Sequence, residues 1–366
     1  MRNFTTSKRI VIKIGTNTLA RDGGIDADYV CQIADQVEAL LKQHKQVLIV
    51  TSGAIGMGLA QLGRTGKVKD MKMRQACAAI GQPLLMAEYR KAFARHNVTV
   101  AQVLLTAEVL DNRKTYLNLR NSIESLLRLG VVPILNENDS VSTAEIGTAF
   151  GDNDRLSALV ASKIDADLLI MLSDIDALYD KDPRKHPGAQ PIPTVFEITQ
   201  GILQSAGGAG TALGTGGMKS KIAAAKVAAT AGCRIVLANG RLENVITRII
   251  AGEQLGTVFM PKRKLSNRSR WILNSTPAGT IRIDDGAMHA VKNRKSLLPS
   301  GITSVEGVFE AGDVVMLNNQ AKAVTTLSSS QLKTLAGKHS TEIKKLLGPR
   351  HRDVVATPED IVLIDY

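Results

Sequence analysis

The sequence has few aromatic residues, which make up only 3% of its 366 residues. A hydrophobic core must therefore be built mainly from Val, Ile, Leu and Ala, and the hydrophobic share of 44% is large enough for one. Runs of such residues are typical of buried parallel strands packed against helices. The length corresponds to roughly two domains of about 100–200 residues each.

Cysteine is also scarce. Cys31, Cys77 and Cys233 form no CxxC pair, and their odd number and wide spacing exclude a disulfide framework or a cysteine zinc site. The histidines lack metal-ligand spacing, and no Ser-His-Asp or Cys-His pattern of a nucleophilic enzyme is present. These absences favour a chemistry that works by positioning and electrostatics, as phosphoryl transfer does.

Long apolar runs are missing as well. A stretch such as 168–172 (LLIML) is far too short to span a bilayer, and residues 1–8 contain no apolar signal region. We therefore expect a soluble, reduced, cytoplasmic protein. A Walker A motif is also missing: residues 63–68 (GRTGKV) have neither its spacing nor its hydroxyl residue, which argues against a P-loop kinase.

The chain is basic, with a formal net charge of +12. Such a charge is compatible with simple solubility or with an anionic partner, such as a nucleotide, a nucleic acid or a membrane surface. Much of the excess is local, because one short stretch without acidic residues contains Lys262, Arg263, Lys264, Arg268 and Arg270.

Strand and helix patterns alternate over the larger, N-terminal part of the chain. Apolar runs typical of strands occur at 9–14, 47–50, 131–135, 168–172 and 234–238. Helices are predicted after a capping Asp26 and over 152–164. This order predicts an α/β fold in which a mostly parallel sheet is sandwiched by helices. Ligands of such sheets bind at the carboxyl ends of the strands, where we expect these side chains to converge: Lys13, Ser52, Asn136, Asp139 and Asp174.

The pattern of apolar and polar residues changes towards the C-terminus. After Pro277 short alternating apolar runs are separated by turn residues, which is the pattern of a small β-rich domain. We therefore predict a catalytic domain over 8–258, a basic linker over 259–276 and a β-rich domain over 277–355.

A glycine-rich loop at 214–217 (GTGG) leads directly into an Ala-rich helix former and places Lys221 in the first turns of that helix. Free backbone N–H groups, the positive end of the helix dipole and the ammonium group then face one point, which suits a phosphate. A second lysine-plus-glycine feature, Lys13 before Gly15, ends the first strand, although Lys13 alone is also compatible with a solvated charge. Two such sites suggest that a phosphoryl group is moved, not merely bound.

The polar motifs at the other strand ends admit a structural and a functional interpretation. Residues 151–154 (GDND) either cap a helix, or Asp154 orients the two lysines while Asn153 holds substrate. Asp139 is either a turn residue or the acceptor of an α-ammonium group, and Ser52 with its following glycine is either a turn or a set of backbone donors. The acidic stretch 173–184 lacks the mid-loop glycine and final glutamate of an EF-hand, so we favour nucleotide contact.

Taken together and in this order, the motifs at 11–16, 51–55, 136–139, 151–154, 173–184 and 214–221 resemble the amino acid kinase family, and the C-terminal part is similar to a PUA domain. The resemblance implies the amino acid kinase fold. It further implies ATP-dependent phosphorylation of the γ-carboxylate of L-glutamate to L-glutamyl 5-phosphate, the first step of proline biosynthesis. Mg²⁺ as cofactor and feedback inhibition by proline are implied as well.

The resemblance also implies a role for each matching position. The catalytic residues would be Lys13, Lys221 and Asp154. Glutamate would be bound by Ser52, Gly53, Asn136, Asp139, Asp152 and Asn153. The nucleotide would be bound by Lys13, Ser173, Asp174, Thr215, Gly216, Gly217, Met218, Lys219, Ser220 and Lys221. No protein ligand of a metal ion is assigned.

Several partners and alternatives stay open. We expect a homo-oligomer and a glutamyl phosphate reductase that captures the labile product. A different hypothesis is an RNA-binding protein in which the C-terminal domain and the basic stretch 262–270 do the main work. The residues after Pro277 are nearly balanced in charge and poor in stacking aromatics, which speaks against a strong RNA platform. A third alternative keeps the fold and changes the substrate to aspartate or another amino acid.

Overall fold

The computed structural model describes residues 2–21, 24–66, 68–141, 153–205, 217–261, 265–339, 342 and 354–364. The chain divides into two compact units, Met1–Lys264 and Leu265–Tyr366. Among the residues described, no helix combines the length and the apolar character that a bilayer span requires.

The first unit alternates strands and helices. Its strands are β1 (Arg9–Ile14), β2 (Ala20–Arg21), β3 (Gly24–Ile25), β4 (Gln46–Val50), β5 (Val100–Leu105), β6 (Val132–Glu137), β7 (Leu168–Ser173), β8 (Thr194–Val195), β9 (Arg234–Asn239) and β10 (Thr257–Phe259). Its helices are α1 (Thr16–Leu19), α2 (Ala27–Lys42), α3 (Ala54–Gln61), α4 (Met71–Ala94), α5 (Ala107–Asp111), α6 (Arg113–Arg128), α7 (Asn153–Lys163), α8 (Gln200–Ser205), α9 (Met218–Ala229) and α10 (Val245–Ala251). The five strands and two helices predicted from the sequence are all present, and the Asp26 side chain caps α2 as expected by accepting from the Tyr29 N–H.

Eight strands form one sheet in the order β5-β6-β4-β1-β7-β9-β10-β8. The pairs from β5 to β9 are parallel, whereas β10 is antiparallel to β9 and carries β8 at the edge. The mostly parallel α/β sheet is therefore confirmed. The chain first builds outward from β1 on the β4 side and then returns to place β7 on the other side of β1. This reversal makes the end of β1 the switch point where open α/β sheets bind ligands.

Two hydrophobic clusters cover the two faces of this sheet. Alternate residues of β1 belong to different clusters. Ile10, Ile12 and Ile14 belong to the cluster that includes α2, α4 and α10. Val11 belongs to the opposite cluster, which includes α6, α7 and α9. Because side chains alternate across a strand, Lys13 shares the face of Val11 and points towards α7 and α9. The period of one strand thus decides which helices surround this lysine.

Helices α3 and α4 are packed backbone to backbone through two glycines. A Cβ atom at Gly58 would lie 1.9 Å from the Cys77 carbonyl oxygen, and one at Gly81 would lie 1.8 Å from the Ala54 carbonyl oxygen. Neither contact can be relieved by a rotamer change, because both partners are backbone atoms. The contact therefore sets the position of α3, which begins directly after Ser52 and Gly53.

We expect Gly58→Ala to lower the free energy of unfolding by about 3 kcal/mol, since it forces two helices apart. The matched control is Gly56→Ala on the same helix, where a Cβ meets nothing within 4 Å. That change is expected to stabilise the protein by about 0.5–1 kcal/mol through helix propensity. Urea unfolding of both variants measures the difference, and equal stability of the two variants would contradict the close helix contact.

The second unit is β-rich, as predicted. Its strands are β11 (Gly279–Ile283), β12 (Ile302–Gly307), β13 (Val314–Leu317), β14 (Ala321–Val324) and β15 (Ile361–Leu363), in the sheet order β12-β11-β13-β14-β15. Its helices are α11 (Asn267–Asn274), α12 (Asp285–Lys292) and α13 (Ser329–Leu335), with short 3-10 turns at Pro299–Gly301 and Pro358–Asp360. A separate apolar cluster that includes Ile281, Phe309 and Leu332 forms its core.

The interval predicted as a basic linker, 259–276, includes the whole of α11. In this helix Arg270 and Trp271 are buried, and the Lys322 ammonium group donates to the carbonyl oxygens of Leu273 at 2.7 Å and Ser275 at 2.6 Å. These contacts belong to the second unit. As functional divisions, the boundaries 8–258, 259–276 and 277–355 stay predictions.

Candidate active site

A buried carboxylate joins the two lysines that the sequence analysis singled out. Asp154 lies in the first turn of α7, Lys13 near the end of β1 and Lys221 in the first turn of α9. Lys13 Nζ is 2.5 Å from Asp154 Oδ1, and Lys221 Nζ is 3.1 Å from Asp154 Oδ2. The exposed fractions are 3% for Lys13, 0% for Asp154 and 4% for Lys221. The cluster carries two positive charges and one negative charge, so it keeps a net positive charge for an anion.

Ser220 completes this cluster from the same helix as Lys221. Its hydroxyl donates to Asp154 Oδ2 at 3.0 Å and also contacts the carbonyl oxygen of Gly217, the N-cap of α9. Asp154 is thereby held from both of its oxygens. A network with fixed charges needs no reorganisation when a phosphate arrives, which is the condition for strong electrostatic stabilisation.

Next to Asp154, three side-chain amides form a buried chain. Asn153 Nδ2 donates to the Thr51 carbonyl oxygen and, at 2.8 Å, to Asn136 Oδ1. Asn136 Nδ2 in turn donates to Gln82 Oε1 at 2.8 Å. Strand β6, helix α7 and helix α4 therefore meet at one point, beside the end of β4. Asn136, which the sequence places at a strand end, thus lies against Asn153.

Ser52 and Gly53 lie between β4 and α3. The Ser52 hydroxyl donates to the Ile14 carbonyl oxygen at 2.9 Å, which ties the end of β4 to the end of β1. Gly53 has φ of 98°, a left-handed conformation that favours glycine, and it is the N-cap of α3 without a side-chain hydrogen bond. The first N–H groups of α3 therefore start at the same sheet edge as Lys13.

Asp174 follows β7 and is held by two donors. Asn17 Nδ2 donates to its Oδ2 at 2.8 Å, and the Ser173 hydroxyl donates to its Oδ1 at 3.0 Å. Burial raises the pKa of Asp174. These hydrogen bonds and the nearby positive charge of Lys221 lower the pKa by more than burial raises it, so it lies below the ordinary value of an aspartate. Asp174 is therefore ionised at neutral pH.

Asp139 behaves in the opposite way. It lies just after β6, and burial raises the pKa of its carboxyl group above the ordinary value, while the positive charge of Arg74 on α4 partly opposes this shift. A positively charged ligand would favour the ionised form of such a carboxyl group.

Three of the residues predicted to bind ligands, Asp152, Thr215 and Gly216, lie outside the described residues. The same holds for Lys262, Arg263 and Lys264 of the basic stretch. Gly217 and Met218 lie at the start of α9, whereas the side chain of Lys219 is exposed to solvent.

Comparison with known proteins identifies the family. Residues 8–239, more than half of the chain, match the sequence profile of the Amino acid kinase family, and residues 279–347 match that of the PUA domain. The chain belongs to the amino acid kinase family.

Two relatives match this chain over nearly its full length. It is 47% identical to the glutamate 5-kinase of Methanosarcina mazei, over 99% of this chain and 97% of the relative. It is 43% identical to the glutamate 5-kinase of Caldanaerobacter subterraneus subsp. tengcongensis, over 98% of both. The crystal structure of UMP kinase from Ureaplasma parvum aligns with 69% of this chain and 99% of its own at a TM-score of 0.48 and 18% identity. The two profile matches and the glutamate 5-kinase relatives confirm the resemblance to the family and to a PUA domain.

A kinase that uses ATP is consistent with a divalent metal ion bound with the nucleotide. In the part of the chain that the structure describes, no group of three or more Asp, Glu, His or Cys side chains could hold a metal by itself. Two carboxylates of the described residues near the lysines are already engaged, Asp154 by ammonium groups and Asp174 by Asn17 and Ser173. This donor set fits an ion that is held mainly by the phosphates of its nucleotide.

Three further residues belong to this site although no sequence pattern predicted them: Gln82, Asn17 and Thr51. Gln82 lies inside α4, far along the chain from any strand end, so the rule that ligands gather at strand ends could not find it. A weak signal existed, because Gln82 is a polar residue in the otherwise apolar and small stretch around it. Ser220, predicted to contact nucleotide, also contacts Asp154.

Proposed function

We propose that this kinase transfers the γ-phosphoryl group of ATP to the γ-carboxylate of L-glutamate, giving L-glutamyl 5-phosphate in the first step of proline biosynthesis. The observation that carries the proposal is Asp154, which holds Lys13 and Lys221 together beside the amides of Asn153 and Asn136. The relatives named glutamate 5-kinase, which match over nearly the full length, support the same reaction.

The reaction joins two anions, and this explains the need for cations. A γ-carboxylate oxygen attacks the γ-phosphorus in line, the bond to the β-phosphate oxygen breaks, and ADP leaves with the electron pair. The carboxylate is already ionised at neutral pH, so no general base is required. Lys13 and Lys221 lower the repulsion between the reactants and stabilise the charge that develops on the transferring group. Asp154 keeps both ammonium groups in place.

The two ends of the site take different ligands. The start of α9, with Gly217, Met218 and Ser220, and the ionised Asp174 lie on the nucleotide side. Asn153, Asn136, Ser52 and Gly53 lie on the glutamate side. Asp139 accepts the α-ammonium group. For Asp152, Thr215 and Gly216, which lie outside the described residues, we propose the roles that the family resemblance implies.

Mg²⁺ is the proposed metal ion. It would neutralise part of the negative charge of the nucleotide phosphates, and no side chain of this chain is assigned to it.

Further partners follow from the product and from the family. Glutamyl phosphate is an acyl phosphate and reacts readily with water, so a reductase that consumes it at once is the expected partner. We also propose feedback inhibition by proline, a homo-oligomeric assembly and a cytoplasmic location.

RNA binding through the basic stretch is the weaker proposal. Arg268 forms an ion pair with Asp360, and Arg270 is 3% exposed with a hydrogen bond to Asn267. Two of the five cations in the stretch are thus engaged within the second unit. A filter-binding assay with RNA at low and high salt tests this function separately from the kinase reaction.

The test of the main proposal is ATP consumption by the purified protein with Mg²⁺ and hydroxylamine, which traps acyl phosphates as hydroxamates. Glutamate, aspartate and other amino acids are compared at equal concentration. Hydroxamate formed from glutamate, and suppressed by proline, is the expected result. Turnover of a different amino acid would change the substrate assignment, and absence of turnover with every amino acid would refute the proposal.

The raised pKa of Asp139 predicts a pH dependence of glutamate binding. Protonation removes the negative charge that pairs with the α-ammonium group, so KM for glutamate is expected to rise as the pH falls, beginning above the ordinary pKa of aspartate. In Asp139→Asn, KM is expected to be high and to change only where the substrate's own γ-carboxyl group titrates, near a pKa of about 4.3. Steady-state kinetics across acidic pH measure both profiles. Identical profiles in the two proteins would rule out this role of Asp139.

A further inference from the structure

Gln82 lies at the inner end of the amide chain, on α4 and directly after the tightly packed Gly81. Only 8% of its surface is exposed. Its Oε1 accepts a hydrogen bond of 2.8 Å from Asn136 Nδ2. Gln82 is therefore connected to Asp154 and the lysines through Asn136 and Asn153.

Two backbone groups determine the orientation of all three amides. The Thr51 carbonyl oxygen can only accept, so the atom of Asn153 that faces it must be the NH₂ group. The Glu137 N–H can only donate, so the atom of Asn136 that faces it at 3.0 Å must be the oxygen. Asn136 then presents its NH₂ group to Gln82, and the facing atom of Gln82 must be its oxygen. The remaining group of Gln82, Nε2, is necessarily a donor.

This donor has no hydrogen-bond partner among the residues that the structure describes, although it is buried. Buried donors are almost always bonded in proteins, and exceptions at functional sites point to a ligand. The other two amides differ from Gln82. The NH₂ group of Asn153 donates to the Thr51 carbonyl oxygen and to Asn136 Oδ1. The oxygen of Asn136 also accepts from the Glu137 N–H, and its NH₂ group donates to Gln82. Gln82 is the one member of this chain of three amides with an NH₂ group left over.

We propose that Gln82 binds a carboxylate oxygen of the acidic amino-acid substrate through Nε2. In this arrangement Asn136 holds the side chains of Gln82 and Asn153 in position through its hydrogen bonds to both. This inference rests on the proposed function, because it assumes a dicarboxylic amino acid in the same site. A carboxylate oxygen is the strongest acceptor that such a substrate offers, and a neutral amide binds it without adding a charge near the lysines. The assignment to Asn136 differs from a direct substrate contact, because Asn136 is 2% exposed and bonded on both ends.

Two variants of Gln82 test the proposal. Gln82→Met keeps the length of the side chain and removes both polar atoms. Gln82→Glu keeps an oxygen for Asn136 and replaces the donor by a group that donates only when it is protonated. The control is Gln36→Met on α2, because Gln36 is equally buried at 6% exposure and both of its polar atoms are bonded, to the Gln32 carbonyl oxygen and to the Ile246 N–H.

In Gln82→Met we expect KM for glutamate to rise about 20-fold, the effect of losing a hydrogen bond to a charged group, with KM for ATP unchanged. In Gln82→Glu we expect KM for glutamate to be close to that of the wild type at low pH, where the carboxyl group donates, and to rise with pH as it ionises. Gln36→Met is expected to lose thermal stability and to keep both KM values. A purely structural role of Gln82 would reproduce the Gln36→Met result and would overturn the proposal.

Binding without turnover provides a second readout for variants of low stability. Glutamate is expected to raise the melting temperature of the wild type and of Gln36→Met, and to have little effect on Gln82→Met. An undiminished glutamate-induced shift in Gln82→Met would refute the proposal even if that variant is inactive. Lack of glutamate turnover by the wild type would instead refute the proposed function, so the two failures are distinguishable.

Discussion

Replacing Asp154 with asparagine is expected to lower kcat by about 10³-fold or more. The substitution keeps the size of the side chain and an oxygen that can accept from Ser220, but it removes the negative charge that holds both ammonium groups. Lys13 and Lys221 then repel each other, and neither is held at the position of the transferring phosphoryl group. Removing one partner of a buried ion pair also costs about 3 kcal/mol of stability, because the remaining charges are left without compensation.

Stopped assays of hydroxamate formation at saturating ATP and glutamate measure this loss of kcat, and circular dichroism at the assay temperature verifies that the variant is folded. The control is Glu253→Gln, which removes a carboxylate that is paired with Arg248 at the surface. It is expected to leave kcat unchanged. A folded Asp154→Asn enzyme with a kcat within tenfold of the wild type would show that Asp154 has no essential part in the reaction.

Replacing Lys221 with methionine is expected to lower kcat by about 10²- to 10³-fold, with little change in KM for glutamate. Lys221 is buried at the start of α9, so its charge acts on the phosphoryl group in a site that is shielded from water. Such a charge is worth most in the transition state, where negative charge is spread over the transferring group. Methionine keeps the length and the apolar stem, so the packing around α9 is conserved.

The matched control for this prediction is Lys226→Met. Lys226 lies on the same helix, but its side chain is exposed, and its removal is expected to leave kcat and both KM values unchanged. The double variant Asp154→Asn/Lys221→Met adds a further test, since residues that act as one unit lose much less together than the sum of their separate losses. Additive losses would mean that Lys221 and Asp154 act independently, against the geometry of the site.

A large part of the fold can be predicted from the sequence. The apolar runs that became β1, β4, β6, β7 and β9 were predicted within two residues at their ends, because a buried parallel strand is a local pattern. The runs at β5, β8 and β10 were not predicted. Strand β5 alternates less clearly and is half exposed, and β8 and β10 are only two and three residues long. Strands of two or three residues are too short to show a period.

The sequence by itself determined that the chain is an α/β protein with a β-rich C-terminal part, and it placed lysines beside glycines where a strand ends and a helix begins. These are local properties, since propensity, capping and periodicity involve neighbours within a few positions. Only the tertiary structure decided that one carboxylate serves both lysines and that Gln82 enters the site. Asp154 and Lys221 are 67 positions apart, and Gln82 and Asn136 are 54 apart. Such pairs depend on strand order, on which helices cover each face of the sheet, and on the glycine contacts between α3 and α4. None of these is encoded in a pattern of neighbouring residues.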